Sequence, residues 1–336
     1  MAVHTIQDLY QMQALPLEIK IRMSKARIRA WIDEYGEDGV YISFSGGKDS
    51  TVLLNLIRED YPNVKALFVD TGLEYPEIRD FVRTFDNVDI IKPKMNFKQV
   101  IEKYGYPFIS KEVSQKVYEN RRKPDGCTKK YFISPKEGGK ESRYNLSKYK
   151  FFLQAPFSLS HKCCNVMKKD PVKKYEKETK RVRITGELAD ESMQRITTWL
   201  KQGCNAFDNK RPVSKPLSFW TEQDILRYIK EYNIEICKVY GDVVIDYDSE
   251  DQLSGQLDFS DLGLASDNRK LKTTGCDRTG CMFCGFGCHL EKESRFERLK
   301  KTHPKIYDYI MRSKGGLNYK EVIDWINDNS DLNIRY

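Results

Sequence analysis

The stretch best suited to chemistry is Ser43-Phe44-Ser45-Gly46-Gly47-Lys48-Asp49-Ser50. It lies between an apolar, β-branched run, Val40-Tyr41-Ile42, and Thr51–Ile57, where apolar residues recur at helical spacing. That order predicts a strand, a glycine turn and a helix N-terminus. Such a turn aims free backbone N–H groups and the positive helix end at one point, where a phosphate chain would sit. Gly46 and Gly47 let the backbone approach the anion closely. Lys48 adds a point charge, and the hydroxyls of Ser45 and Ser50 can donate hydrogen bonds. The spacing is not the G-x-x-x-x-G-K-[ST] of the common nucleotide P-loop. The plainer alternative is an ordinary strand-to-helix turn that happens to contain Gly-Gly.

A second chemical cluster is Cys276-x4-Cys281-x2-Cys284-x3-Cys288, four thiols in thirteen residues, with Gly275, Gly280, Gly285 and Gly287 between or beside them. That spacing could close an iron–sulfur or zinc site unaided. With four histidines in the chain, an imidazole-based metal site is not expected. No stretch approaches the roughly 20 apolar residues that span a bilayer. The opening Met1-Ala2-Val3-His4-Thr5 lacks the basic and apolar regions of a signal peptide. These features predict a cytoplasmic, reducing location, in which the nine cysteines are free, catalytic or metal-bound. Cys127, Cys204 and Cys237 read as structural.

The net charge of +8 is unevenly spread. Lys111–Arg181 holds 20 Lys and Arg against 8 Asp and Glu, a balance of +12, and the remainder sums to −4. Tyr118, Tyr131, Phe132, Tyr144, Tyr149, Phe151 and Phe152 interleave that charge, a pattern suited to nucleic acid or to nucleotide phosphates.

The elements that must position these groups alternate. Helical spacing covers 16–35, with Gly36 as the stop; strands read at Val40–Phe44, 64–69, Val88–Ile91 and 182–185. Helices read at 49–59, 76–84 and 218–232, the last capped near Thr221. This predicts an α/β, doubly wound parallel sheet with ligands at the carboxyl ends of its strands, where Ser45 and Asp70 both fall. A helical segment 1–36 precedes an α/β domain over 37–240 that carries a basic insertion at 111–160, with 121–147 as a long loop. An acidic surface insertion spans 241–272, and 273–336 is a cysteine-containing region with helices near 291–300, 304–313 and 319–327.

Several separated segments resemble one family. The S-G-G-K-D-S string is similar to the PP-loop of ATP pyrophosphatases, which split ATP between its α and β phosphates. Phe68–Glu77, Ile184–Arg195 and Pro216–Ile225 resemble, in order, three further segments of the phosphoadenosine phosphosulfate (PAPS) reductase family. The resemblance implies an adenine nucleotide α-hydrolase-like fold and a site for ATP and Mg2+. Ser43, Ser45, Gly46, Gly47, Lys48, Asp49 and Ser50 would hold pyrophosphate, with Lys48 and Asp49 in catalytic positions. Asp70, with Thr71 and Gly72, would bind magnesium or the nucleoside, and Gly186 and Arg195 would line the substrate side.

The resemblance also implies a 4Fe–4S cluster held by Cys163, Cys164, Cys281 and Cys284, as in adenylylsulfate (APS) reductases; Lys168, Lys169 and Pro171 match too. The local set, Cys276 and Cys288 with Cys281 and Cys284, resembles DNA phosphorothioation relatives and stays open beside it. Sulfonucleotide reductases carry a degenerate loop in place of S-G-G-K-D-S, and a thiol-bearing tail unlike Asn333-Ile334-Arg335-Tyr336. The expected activity is therefore adenylation of an acceptor, with nucleic acid preferred, followed by sulfur transfer from a donor such as a cysteine desulfurase. A sulfite-releasing reductase and a non-catalytic nucleotide- and cluster-dependent module are the alternatives.

Overall fold

The computed structural model describes residues 4–140, 142, 144–247 and 269–336. Of the expected acidic insertion, 248–268 lie outside the described residues. The chain divides into two compact units, one of Met1–Asp70, Tyr75–Ile91 and Lys174–Thr279, the other of Thr71–Glu74, Lys92–Lys173 and Gly280–Tyr336.

The first unit is built on a six-stranded sheet ordered β3-β2-β1-β5-β7-β6. Its strands are β1 (Val40–Ser43), β2 (Ala66–Val69), β3 (Val88–Ile91), β5 (Val182–Thr185), β6 (Asn205–Ala206) and β7 (Val213–Ser214). All pairings are parallel except β6 with β7. Central β1 faces β5 in the register Val40↔Val182 to Ser43↔Thr185. Val40, Tyr41 and Ile42 are fully buried, as a strand covered by helices on both faces requires. From β1 the chain fills one side of the sheet with β2 and β3, then the other with β5 and β7. The order therefore reverses between β1 and β5, the switch point beyond whose strand ends α/β sheets bind ligands.

Helices hold this sheet through few but well-buried contacts. Leu17–Tyr35 turns Leu17, Ile28, Trp31 and Ile32 inward and stops at Gly36, which has a φ of 74°. Lys20, 2% exposed, donates to Asp224 at 2.7 Å and to the Gln13 carbonyl at 2.6 Å. Glu222–Glu231 begins at a capping box, Thr221 accepting from the Asp224 amide and Asp224 from the Thr221 amide, and buries Ile225, Leu226, Tyr228 and Ile229. A small antiparallel pair, β8 (Val243–Ile245) with β9 (Leu271–Thr273), belongs to the same unit.

In the second unit β4 (Phe108–Ile109) pairs in parallel with β10 (Gly285–Phe286). A Cβ at Gly285 would lie 2.6 Å from the Phe108 ring, so this pairing needs a glycine there. The loop expected over 121–147 is more ordered than its polar composition implied. A helix, Lys111–Arg122, runs into its start, and 3-10 turns follow at Lys129–Phe132 and Pro135–Glu137, with another at Ser147–Gln154. The reason is apolar anchorage: Phe132, Leu146, Tyr149 and Phe152 are buried. The C-terminal helices, Arg295–Thr302, Pro304–Met311 and Tyr319–Asp328, bury Phe296, Leu299, Ile310, Tyr319 and Ile323. Among the described residues no helix is long and apolar enough to cross a membrane.

Candidate functional site

At the carboxyl end of β1 the chain turns through Gly46, whose φ is 71°. A Cβ there would meet Val82 at 2.8 Å and Ile78 at 2.9 Å, so both backbone conformation and space demand glycine. The helix Lys48–Arg58 then starts at Gly47, which has no side chain of its own to cap it. Around this helix start the Ser45 and Ser50 hydroxyls lie 3.0 Å apart, the Ser45 amide donates to Ser50 Oγ at 3.2 Å, and Ser50 Oγ donates to the Gly47 carbonyl at 2.9 Å. Ser43 is the last residue of β1. The result is a small nest of hydroxyls and amides at the sheet's switch point.

Lys48 is more enclosed than its surface-turn context implies, at 3% exposed. Its ammonium donates to the Asp277 carbonyl at 2.8 Å and pairs with Glu222 at 2.9 Å. Its amide donates to the Tyr240 hydroxyl at 3.2 Å, and that hydroxyl sits 2.6 Å from Thr279 Oγ1. Burial pushes the Tyr240 phenol up to about 12, so it acts as a neutral hydroxyl. Nothing local in the sequence signals Tyr240 or Asp277, partners roughly 190 to 230 positions away from Lys48.

Carboxylates gather beside this nest. Burial holds the Asp49 carboxyl above the usual range, against Lys48, with Glu191 and Glu222 adding to the rise. Asp190 is raised likewise, by burial and then by Glu191. Among the described residues Asp49 Oδ1 and Thr185 Oγ1 are buried without a hydrogen-bond partner. Gly186 follows β5 directly, and a Cβ on it would stand 2.9 Å from the Asp49 carbonyl, which brings the β5 end against the helix start. Arg195 turns to Glu191, which also receives Arg278 at 3.5 Å. Asp70 is 7% exposed and takes Arg79 on both oxygens at 3.1 Å. Thr71 and Gly72 fall in the second unit, where the Thr71 amide and hydroxyl donate to Glu74 at 3.1 and 2.8 Å.

The second unit also contains Cys163, Cys164, Cys281 and Cys284, and their thiols act on one another. Burial pushes the Cys163 thiol up, with Cys164, Cys281 and Cys284 adding to it. Burial lifts Cys281 to about 11 against the pull of Lys168. Cys284 is raised by burial, against the Phe286 amide and Arg295. Lys168, opposed by burial, is nevertheless held above its ordinary value by Cys281 and Glu74, the latter at 3.5 Å. Cys288 donates to the Gly285 carbonyl at 3.0 Å. Cys276 belongs to the first unit, where its amide donates to the Val239 carbonyl at 2.9 Å. Among the described residues no group of three or more His, Cys, Asp or Glu side chains is arranged to hold a single metal ion.

A doubly wound sheet with a glycine-led anion turn at its switch point defines an α/β protein of nucleotide-binding type. The chain belongs to the phosphoadenosine phosphosulfate reductase domain family, whose profile matches residues 39–131 and 107–285. An uncharacterized protein of Methanocaldococcus jannaschii is 41% identical over 70 residues, 19% of this chain and 17% of its own length. An adenosine 5′-phosphosulfate reductase of Geobacillus kaustophilus is 30% identical over 102 residues, 30% of this chain and 40% of its own. The chain thus matches less than half of either relative's length. Among solved structures, a PAPS reductase of Candida auris in a phosphate complex aligns at a TM-score of 0.39 and 15% identity, covering 67% of this chain and 89% of that one. An NH3-dependent NAD synthetase of Campylobacter jejuni aligns at 0.35 and 12%, covering 66% and 75%.

Proposed function

We propose that this chain cuts ATP between the α and β phosphates, places AMP on an acceptor oxygen and lets a sulfur nucleophile displace it. Nucleic acid is the acceptor that the basic block favours. The observation that carries this reading is the glycine-led helix start at Gly46-Gly47, ringed by the Ser45 and Ser50 hydroxyls, at the point where the strand order reverses.

In the first step the acceptor oxygen attacks the α-phosphorus, the bond to the bridging oxygen breaks, and pyrophosphate leaves with the electron pair. The helix N-terminus, the two hydroxyls and Lys48 would bear the charge that grows on pyrophosphate. In the second step the terminal sulfur of a persulfide on a donor such as a cysteine desulfurase attacks the activated carbon, the C–O bond breaks and AMP departs; a thiolate then attacks the donor sulfur of the resulting C–S–S link, releasing the thiolated acceptor and leaving a disulfide.

Asp49, whose Oδ1 lacks a hydrogen bond beside the turn, fits as a single carboxylate for phosphate-bound magnesium better than Asp70, which Arg79 already holds. When bound there, the ion would neutralise phosphate charge.

The four thiols Cys163, Cys164, Cys281 and Cys284 fit a 4Fe–4S cluster, Cys163 being buried and the other three half-buried in the same unit, beside the cations Lys168 and Arg295 that offset thiolate charge. When bound there, the cluster would relay sulfur or electrons. The local set, Cys276 and Cys288 with Cys281 and Cys284, is the alternative ligand set.

The test is incubation of anaerobically prepared protein with α-labelled ATP, Mg2+ and single-stranded nucleic acid. Pyrophosphate and label joined to the nucleic acid as AMP are expected, with labelled free AMP appearing once a persulfide donor is added. The second reading, a sulfonucleotide reductase, is favoured by the adenosine 5′-phosphosulfate reductase relative. Sulfite released from APS or PAPS, with ATP left intact, would establish it instead. Tight ATP binding with neither product would mark a non-catalytic module.

A further inference from the structure

The helix start that would cradle pyrophosphate is covered by residues of its own unit. The Lys48 amide donates to the Tyr240 hydroxyl at 3.2 Å, and that hydroxyl lies 2.6 Å from Thr279 Oγ1. We infer that Tyr240 and the strap Asp277-Arg278-Thr279 hold the place of the phosphates in the ligand-free protein, so that a polyphosphate enters by displacing them. This deepens, and rests on, the pyrophosphate reading above.

Each strap residue has a partner at or beside the turn. The Asp277 carbonyl accepts from the Lys48 ammonium at 2.8 Å, Thr279 meets the Tyr240 hydroxyl, and Arg278 pairs with Glu191 at 3.5 Å. A Cβ on Gly47 would lie 3.2 Å from the Tyr240 hydroxyl and 3.4 Å from Thr279 Oγ1, so both hydroxyls sit against the glycine turn itself. Lys48 Nζ also stands 5.7 Å from the centre of the Tyr240 ring. Behind these contacts the strap hangs from fixed backbone. The Gly275 amide donates to the Tyr240 carbonyl at 2.8 Å, and the Cys276 amide to the Val239 carbonyl at 2.9 Å. A Cβ on Gly275 would stand 2.4 Å from the Val239 oxygen, so this close pairing requires glycine. The contacts on the turn can therefore part while the backbone anchor stays.

The present occupants set the ligand class. Tyr240 is a neutral phenol, its pKa pushed up to about 12 by burial. A neutral hydroxyl satisfies the Lys48 amide but brings no negative charge to the positive end of a helix, and the Asp277 carbonyl brings none to the ammonium. Glu222 does bring charge to Lys48, at 2.9 Å, but from a side chain 44% exposed. Phosphate oxygens on the same amide and ammonium would form charge-assisted bonds, roughly twice as strong as neutral ones. A nucleoside without phosphates gains nothing over the hydroxyl already in place. The exchange therefore favours an anion.

The experiment is calorimetric titration of the full chain with inorganic pyrophosphate and, separately, with adenosine. Tyr240→Phe keeps the buried ring and removes the hydroxyl, so the Lys48 amide lacks its acceptor until an anion arrives. Pyrophosphate should then bind about 5- to 150-fold more tightly, the range set by a buried donor left unsatisfied. Thr279→Val leaves Tyr240 intact but removes its 2.6 Å partner, and should tighten pyrophosphate about 2- to 12-fold, the worth of one hydrogen bond. Adenosine, which has no anion to exchange, should gain from neither substitution. Unchanged or weaker pyrophosphate binding in both variants, with the wild type binding well, overturns the strap and leaves the cradle standing. An equal gain for adenosine would mean a general loosening of the site and overturns it too. No pyrophosphate binding by the wild type or either variant overturns both the strap and the cradle.

Discussion

Lys48, proposed to bear pyrophosphate charge, is also tied into the fold. Its ammonium satisfies the Asp277 carbonyl and pairs with Glu222, so Lys48→Ala should reduce ATP affinity and also cost about 1–3 kcal/mol for the carbonyl left unpaired. Calorimetric ATP titration and urea unfolding measure the two effects separately; unchanged ATP affinity would take Lys48 out of the site. Asp49 is set in the opposite sense, as a buried carboxylate crowded by Glu191 and Glu222. Asp49→Asn removes the desolvation cost, so the nucleotide-free protein should be more stable than the wild type. The same substitution should abolish the extra thermal stability that Mg2+·ATP confers. A variant that is less stable without ligand, or stabilised by Mg2+·ATP as the wild type is, would show that Asp49 is not a metal ligand.

At the scale of elements, the site depends on how closely β5 approaches the helix start. Gly186→Ala puts a methyl 2.9 Å from the Asp49 carbonyl, and that backbone cannot yield without moving the nest. ATP binding should fall at least tenfold while the far-UV spectrum keeps its helical content. The helix Glu222–Glu231 is tied to Leu17–Tyr35 by the buried pair Lys20–Asp224. Asp224→Ala strands the ammonium and should cost about 3–5 kcal/mol in urea unfolding, whereas Lys20→Met with Asp224→Leu should recover most of that loss.

Much of this framework was legible in the sequence. Val40–Ile42 and Thr51–Ile57 differ in apolar period, and Thr221 with Asp224 spells a capping box on the page. What was not legible comes from long-range partners. β6 and β7 span two residues each, too short for any period, and β4 meets β10 from about 177 positions away. The Arg79 that occupies Asp70 and the Tyr240 hydroxyl on the Lys48 amide have no spacing signal either. In the basic insertion, polar composition concealed the four buried anchors Phe132, Leu146, Tyr149 and Phe152.

At the scale of the whole molecule, the family assignment leaves open which branch of chemistry the chain performs, and its two units offer separate measurements. Anaerobically purified protein should be brown, with about four irons and four sulfides per chain, and Cys281→Ala or Cys284→Ala should abolish the colour. Stoichiometric zinc without visible absorption would instead favour a structural tetrathiolate site. The central claim is that the Ser45–Ser50 turn is a pyrophosphate cradle, and competition binding tests it most directly because it needs no knowledge of the acceptor. Inorganic pyrophosphate should displace labelled ATP from the wild type, AMP should compete at least tenfold more weakly, and Ser45→Ala with Ser50→Ala should weaken pyrophosphate and ATP together. AMP or adenylyl sulfate binding as tightly as ATP, with pyrophosphate unable to compete, would contradict it.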